Sequence, residues 1–524
     1  MNKFDRLIVF GIGGSGERVM RSLVMLLAGG MEMNCNSIQP VLIDSDEKSK
    51  ALQKVCDLIT AYNKMRELYD ITQNYVKDEL VKKNSMFHVR IEKPVILNVS
   101  GTNVETLKKL VDSTNLDRDL KAEFDILYSE KSQNMRLSWG FVGNPSIGAV
   151  VLNQMLEGEK YKSLNITSRD GVFIISSIFG GTGAAGFPLL VNKIRKDLEG
   201  NMEHFKIGAL SLFPYFSLVE TTDDSEVAKG LKGYEVNDNE FSTKTKAALA
   251  YYDSHVKALC SIYYLGTGDV SYRSRFPKYK GGEKQDNPAS MLELIGAKAV
   301  SHFTFSTQEI TGEIANNDFK FPGGAKFTNC YEYFIDKRPE NGTAYDLNTI
   351  DADIKFREVF VRLQLLKYIW RDCVPEWLKK QGLQWSTSIG INQGRYDNMR
   401  GNYLERFFDM FEDWKKELNH NYHNSGFRFK FFNDNEATAE GQDYITERFH
   451  PAIAYREKSI FSSIAKVKDP EILGKMQAPC NSNIGKGFNS DEIRYKFAFY
   501  TSLYAIEHII KDTDKNRCIN LDFV

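Results

Sequence analysis

The sequence predicts an α/β protein with a mainly parallel sheet and a Rossmann-like nucleotide-binding domain, and two strand–turn–helix junctions carry this prediction. The first starts with the strand-like Arg6–Phe10 and continues through a glycine-rich turn into a helix-like segment. The second joins the apolar run Gly171–Ile178 through another glycine turn to the helix-like Phe187–Ile194. Such junctions present free backbone N–H groups and the positive end of a helix dipole, which suits a phosphate group.

The first junction alone matches the dinucleotide fingerprint. Gly11, Gly13 and Gly16 have the G-x-G-x-x-G spacing, and Asp44 follows the next apolar strand, Pro40–Ile43, as a candidate ribose acceptor. Asp44 lies farther along the chain than the roughly 20 residues that the fingerprint expects. An NAD-dependent enzyme therefore stays an alternative, and it requires a preference for dinucleotides over GTP.

A third glycine loop, at 140–148, lies between the two junctions, and a dinucleotide fold needs no such loop. With this series of loops the chain resembles the tubulin/FtsZ superfamily of GTP-binding, filament-forming proteins. The turn at 11–16 resembles the first FtsZ phosphate loop, and 44–46 resembles the Asn-Thr-Asp loop after the second strand. The 140–148 loop is similar to the one that wraps the terminal phosphate, and 180–183 resembles the core of the G-G-G-T-G-[ST]-G signature.

The resemblance implies GTP or GDP with Mg²⁺ as cofactors, and head-to-tail self-association controlled by the bound nucleotide. No residue of the chain is assigned as a metal ligand. Phe179 and Ala184-Ala185 depart from the signature, so one phosphate contact is expected to be lost or supplied differently. The implied nucleotide-binding residues are Gly11, Gly13, Gly14, Ser15, Gly16, Asp44, Asp46, Gly140, Gly143, Asn144, Pro145, Gly180, Gly181, Thr182, Gly183, Ala184 and Asn287.

A central helix is predicted over 288–305, because an Asn followed by a proline is a good helix start signal. The resemblance implies that the head of this helix reads the base, with Asp286 and Asn287 as candidates. An asparagine in front of a helix is also explained as a simple N-cap. The strand and Pro-aromatic loop at 210–215 resemble the region of ribose contacts, where no single ligand is assigned.

The hydrolytic half of the site is not legible. FtsZ carries an acidic N-x-D-x-x-D loop after its central helix, and the weak candidates here, Asp318, Asp351 and Asp353, are more typical of solvated loops or helix starts. Phosphoryl transfer depends on positioning and charge neutralisation, so a lost acid would spare binding while removing most of the rate. GTP hydrolysis is therefore a separate expectation from GTP binding. A switch or scaffold that neither polymerises nor hydrolyses is the main alternative.

Three parts are predicted along the chain: a GTP-binding domain at 1–287, the central helix at 288–305, and a C-terminal α/β domain at 306–524 for activation or assembly. In the last part, 353–370 and 402–418 have the periodicity of amphipathic helices, and 427–431 alternates like a strand. Core packing is the expected use of both helices. Docking to a partner protein or a membrane surface is the alternative.

Composition limits the possible partners and location. The 524 residues are 42% apolar, and 68 Lys and Arg against 69 Asp and Glu leave no basic excess, so nucleic acid is not implied. Seven scattered cysteines without a C-x-x-C pair favour free thiols in a reducing compartment. No signal-like leader and no apolar run of membrane-span length is seen. We expect a cytoplasmic protein with a cytoskeletal, membrane-remodelling or defence role.

Overall fold

The architecture is α/β, with a parallel sheet at its centre. The computed structural model describes residues 3–46, 49–72, 77–83, 86–98, 106–139, 141, 144–199, 205–219, 240–256, 260–267, 273–277, 286–305, 330–335, 345–346, 356–380, 383–424, 429–430, 471–480 and 484–515. Its strands are β1 (Phe4–Ile12), β2 (Cys35–Ile43), β3 (Arg90–Ile91), β4 (Val95–Leu97), β5 (Gly171–Ser177), β6 (Lys206–Leu212), β7 (Phe216–Val219), β8 (Ser261–Thr267), β9 (Ser274–Pro277), β10 (Cys330–Ile335), β11 (Tyr345–Asp346) and β12 (Phe429–Lys430).

The main sheet confirms the predicted parallel arrangement. Its order is β10-β8-β6-β5-β1-β2, after which β3 and β4 both pair with β2, and all of these pairings are parallel. From β3 through β8 this is the strand order of a Rossmann-like sheet. The order reverses between β1 and β5. A ligand crevice is expected at such a reversal, outside the carboxyl ends of the strands.

Helices pack against this sheet. They are α1 (Gly13–Ala28), α2 (Lys50–Thr72), α3 (Glu79–Lys83), α4 (Leu107–Leu110), α5 (Arg118–Leu127), α6 (Glu130–Gln133), α7 (Pro145–Leu156), α8 (Glu159–Lys162), α9 (Gly181–Asp197), α10 (Phe241–His255), α11 (Met291–Phe305), α12 (Phe356–Tyr368), α13 (Val374–Leu378), α14 (Gln384–Ile389), α15 (Gln393–Met399), α16 (Glu405–Asn424) and α17 (Asp491–Lys515). Helix α1 packs against α2, α11 and α12, while α9 packs against α7 and α10. None of the helices in the described ranges is long and apolar enough to cross a membrane.

Helix α1 is enclosed on all sides. Apart from the half-buried Gly14, every residue of α1 is buried. Glu17, Arg18 and Arg21 are among them, and buried charges need partners to offset the loss of water. Their partners therefore decide what this helix does.

The described residues of the C-terminal part form helices and three short strands. Its described residues are mainly helical, β10 joins the main sheet, and β11 and β12 form a parallel pair only two residues long. The two predicted amphipathic helices correspond to α12 and α16, and most of the large apolar residues whose burial the structure describes there are buried, as core packing requires. Most of the predicted strand at 427–431 lies outside the described residues. The described cysteine side chains, at 35, 56, 260, 373 and 480, form no disulfide bonds with one another.

Candidate functional site

Three predicted turns meet at the sheet reversal. Helix α1 starts directly after β1, and α9 starts four residues after β5 ends. A Cβ built on Gly13 would lie 3.4 Å from the Cβ of Thr182, so the first and second turns touch. A Cβ built on Gly148 would lie 2.9 Å from the carbonyl oxygen of Gly181, so the head of α7 reaches the second turn.

The three helices begin without side-chain caps. The N-cap residues Ile12, Asn144 and Gly180 make no side-chain hydrogen bond to their helices. By contrast, α4 and α5 are capped by Thr106 and Asp117. The first N–H groups of a helix have no partner within it, and here no side chain of the N-cap residue supplies one. Three positive helix ends and their N–H groups are thus gathered at one crevice, which is a favourable environment for an anion.

Some glycines of the turns are required by packing. A Cβ on Gly16 would lie 2.7 Å from the carbonyl carbon of Gly11 and 2.9 Å from the carbonyl oxygen of Ile175. A Cβ on Gly183 would lie 2.7 Å from the carbonyl oxygen of Ser177. Gly13 has φ +69°, a left-handed conformation that favours glycine. These residues let α1 and α9 approach the strands closely.

Other predicted residues form the open rim of the crevice. Gly14, Gly180, Thr182 and Ala184 are half-buried, as are Asn144 and Pro145 at the head of α7. The Ser146 hydroxyl donates to Asn144 Oδ1 at 2.8 Å. Gly140 and Gly143 lie outside the described residues. The rim therefore consists of partly exposed residues, most of them small.

Phe179, the main departure from the signature, points into the protein. It is 3% exposed, and its ring packs against Phe241, Phe216 and Tyr215, with centroids 4.6, 5.4 and 6.5 Å away. Aromatic pairs at these distances stabilise a core. The phenylalanine therefore occupies a packing position behind the turn.

An acidic corner lies behind the first turn. Asp44 and Asp46 follow β2 and are buried, and the Asp46 N–H donates to Asp44 Oδ1 at 3.0 Å. Burial, and then the charge of Asp46, raise the pKa of Asp44 to about 7, against the lowering effect of backbone hydrogen bonds. Glu17 of α1 accepts from the Ser49 hydroxyl at 2.9 Å, while its Oε1 has no partner among the described residues. Burial and the neighbouring Asp44 raise the pKa of Glu17 well above its ordinary value.

This geometry does not fit Asp44 as a free ribose acceptor. One of its carboxylate oxygens is engaged by the Asp46 backbone, and the side chain is buried. No group of three or more His, Cys, Asp or Glu side chains that could hold a metal occurs in the described ranges. Mg²⁺ often keeps several waters and binds through one or two carboxylates plus phosphates, so this finding is compatible with a nucleotide-borne Mg²⁺.

A second polar cluster, which the sequence interpretation missed, lies on the other side of α1. Arg18 donates from Nε to Glu293 Oε1 at 2.6 Å and from Nη2 to the Tyr215 hydroxyl at 2.7 Å and the Ser15 hydroxyl at 3.3 Å. Burial lowers the pKa of Arg18, but Tyr215 and Glu293 more than offset it and hold the group charged. We call Ser15, Arg18, Tyr215 and Glu293 the arginine cluster.

The head of α11 is tied to two other helices. The backbone N–H of Ser290 donates to Glu293 Oε2 at 2.9 Å, and that of Ala289 donates to Glu417 Oε2 of α16 at 3.0 Å. Glu417 also pairs with Arg21 of α1 at 2.5 Å and with Lys54 of α2 at 2.9 Å. The start of α11 is therefore fixed by carboxylates from within the helix and from the C-terminal part.

The base-reading candidates lie just before this helix. Helix α11 begins at Met291, three residues later than predicted, so Asn287 is not its N-cap. The Ser290 N–H donates to Glu293 Oε2, which is one of the two hydrogen bonds of a capping box. Asp286 pairs with Lys54. The Asn287 Oδ1 atom is buried and has no hydrogen-bond partner among the described residues. The weak catalytic candidates Asp318, Asp351 and Asp353 lie outside the described residues.

The fold and the crevice define a class: a parallel-sheet α/β protein with a Rossmann-like core whose turns gather at the strand reversal. The chain matches no model of a known protein family, and no curated protein matches it.

Proposed function

We propose that the chain is a tubulin/FtsZ-like nucleotide-binding protein, in which the phosphates of GTP or GDP bind at the three turns. The observation that carries this proposal is the meeting of three uncapped helix N-termini at one crevice. An anion there would be held by backbone N–H groups and three helix dipoles. Gly14, Thr182 and Ala184 at the rim are small enough for close approach.

Two features favour this class over a dinucleotide-dependent enzyme. The α7 head contributes a third turn, and Gly148 packs against the Gly181 backbone, whereas the dinucleotide fingerprint relies on the first turn alone. Helix α11 comes after β9 and packs against α1, which supports the interpretation of α11 as the central helix.

The base would lie near the head of α11, where Asn287 carries a buried carbonyl oxygen without a partner among the described residues. A guanine presents N–H donors that such an oxygen can accept. Mg²⁺ would be held mainly by phosphate oxygens and water, and it would neutralise phosphate charge at the site. Nucleotide-dependent self-association of the chain is part of this proposal and follows from the resemblance.

Thr182 offers a direct test of the phosphate site. It is half-buried at the second position of α9, where a carboxylate stabilises a helix but repels a bound phosphate. We expect Thr182→Asp to weaken GTP binding about tenfold or more. Asparagine has the shape of aspartate without its charge, so we expect the GTP affinity of Thr182→Asn to stay close to that of the natural chain. Titration calorimetry measures both. Equal affinities in the Asp and Asn variants would refute a phosphate at α9.

Assembly and hydrolysis need a separate experiment. Sedimentation with GTP, GDP and no nucleotide tests whether the chain pellets in a nucleotide-dependent way, and phosphate release is measured at rising protein concentration with Mg²⁺. A site completed between two subunits predicts a release rate per molecule that rises with concentration. GTP binding without pelleting or release would instead favour the switch or scaffold.

A further inference from the structure

One terminal nitrogen of the buried arginine in α1, Arg18, lies near Gly14, the half-buried residue of the first turn. Arg18 is 7% exposed, and its Nε and Nη2 are engaged in the arginine cluster. Its Nη1 makes no hydrogen bond to any residue that the structure describes. A Cβ built on Gly14 would lie 3.4 Å from this nitrogen. Gly14 is the half-buried residue of α1, so the Nη1 nitrogen lies next to the rim of the crevice.

The guanidinium is held in this orientation from three sides. Glu293 is fully buried and binds Nε, and the same carboxylate accepts from Ser290 at the head of α11. The fully buried Tyr215 accepts from Nη2, and the Phe276 ring lies 5.2 Å from the guanidinium carbon. A planar guanidinium fixed at two nitrogens has its remaining donors fixed as well. The direction of Nη1 is therefore set by the surrounding fold.

We infer that Arg18 is a phosphate-binding residue whose Nη1 donates to a phosphate oxygen bound at the first turn, with Glu293 and Tyr215 as its positioning residues. This rests on the proposed function and adds to it a charged donor that the resemblance does not assign. Hydrogen bonds between arginine and phosphate are among the stronger ones in proteins. Contact at Nη1 would also connect the phosphate, through Glu293, to the head of α11.

The C-terminal helices contain a buried arginine–glutamate pair that serves as a comparison, because it lies away from the three turns. Arg362 of α12 donates from Nε and Nη2 to both carboxylate oxygens of Glu507 in α17, at 2.8 and 3.3 Å. The side chains of Arg362 and Glu507 are 4% and 3% exposed, which is comparable with 8% and 0% for Arg18 and Glu293. If Arg18 were only a structural residue, loss of either pair would affect stability alone.

The experiment compares Arg18→Gln/Glu293→Gln with Arg362→Gln/Glu507→Gln. Each double variant removes both charges of a pair, so that neither leaves a lone buried carboxylate. Titration calorimetry measures affinity for GTP and for inorganic pyrophosphate, and thermal melting measures stability. We expect the Arg18 double variant to bind both probes about tenfold or more weakly, and the Arg362 double variant to bind within about twofold of the natural chain. Arg18→Lys, which keeps a charge without the fork, is expected to bind with intermediate affinity.

Tyr215→Phe tests the positioning role, because it keeps the ring and removes the hydroxyl that binds Nη2. A few-fold loss of pyrophosphate affinity is expected. Folded Arg18 variants that bind both probes as tightly as the natural chain would overturn the inference and leave the proposed function standing. If the double variant does not fold, unchanged pyrophosphate affinity in Arg18→Lys and Tyr215→Phe overturns it. A natural chain that binds neither GTP nor pyrophosphate would overturn both.

Discussion

The two glycine turns of the crevice share one construction and differ in what lies behind them. Each has a packing glycine against strand backbone, Gly16 in the first turn and Gly183 in the second, and each has an open position, Gly14 or Thr182. Behind the first turn lie buried charges: Glu17 and Asp44 on one side and the arginine cluster on the other. Behind the second, Phe179 packs into an aromatic cluster. Each glycine motif thus contains a residue required for packing and a residue left partly exposed, and the two motifs differ in the residues that lie behind them.

Substitution of the packing glycines should have the largest effect. A Cβ at position 16 or 183 would meet backbone atoms at 2.7 Å, and the backbone cannot move aside as a flexible side chain can. We expect Gly16→Ala and Gly183→Ala each to lower the free energy of unfolding by about 2–3 kcal/mol, measured by denaturant unfolding. Alanine tolerated at either position without loss of stability would show that the helix does not approach its strand so closely.

The dependence of stability on pH should report on the region behind the first turn, because Asp44 lies there. Its pKa of about 7 in the folded chain is above that of an unfolded aspartate, so the folded state binds more protons between these values. Stability should therefore fall as pH rises from about 5 to 8, by on the order of 2 kcal/mol. We expect Asp44→Asn to flatten this dependence in unfolding curves recorded across that range.

Glu17→Gln is the companion variant for this test, because burial and then the charge of Asp44 raise the pKa of Glu17 as well. Removal of Glu17 should weaken the pH dependence without abolishing it. An Asp44→Asn chain that loses stability with pH as steeply as the natural chain would place the titrating group elsewhere.

Much of the sheet could be predicted from the sequence, because local signals determine it. The central residues of β1 and β5, Leu7–Phe10 and Val172–Ile175, are continuously apolar and buried, as is typical of parallel strands covered on both faces, and glycines mark the turns after these strands. The start of α11 was placed three residues early, since Asn287 and Pro288 imitate a helix start that Ser290 and Glu293 provide.

The arginine cluster could not be predicted, because its contacts join residues far apart in the chain. Arg18 and Glu293 are 275 positions apart, and Arg18 and Tyr215 are 197 apart. No local periodicity records such a pair. One signal was present: charged residues at 17, 18 and 21 interrupt a helix that is otherwise apolar on several faces, and buried charges need partners.

The smallest expected effect is at Gly14, the half-buried position of the first turn. A substitution there should distinguish the approach of a ligand from the packing of the helix, because it changes affinity and stability in opposite directions. Among the described residues that do not neighbour Gly14 in its own helix backbone, a Cβ on Gly14 would contact Arg18 Nη1 alone, at an ordinary 3.4 Å, and φ at Gly14 is not left-handed. We expect Gly14→Ala to raise stability by about 0.5 kcal/mol, because alanine loses less backbone freedom than glycine, while weakening GTP binding a few-fold. Gly474→Ala is the matched control, since a Cβ there would meet nothing within 4 Å. It should raise stability without changing affinity. If both variants bind GTP equally well, the phosphate does not approach α1 at Gly14, and the first turn serves the fold alone.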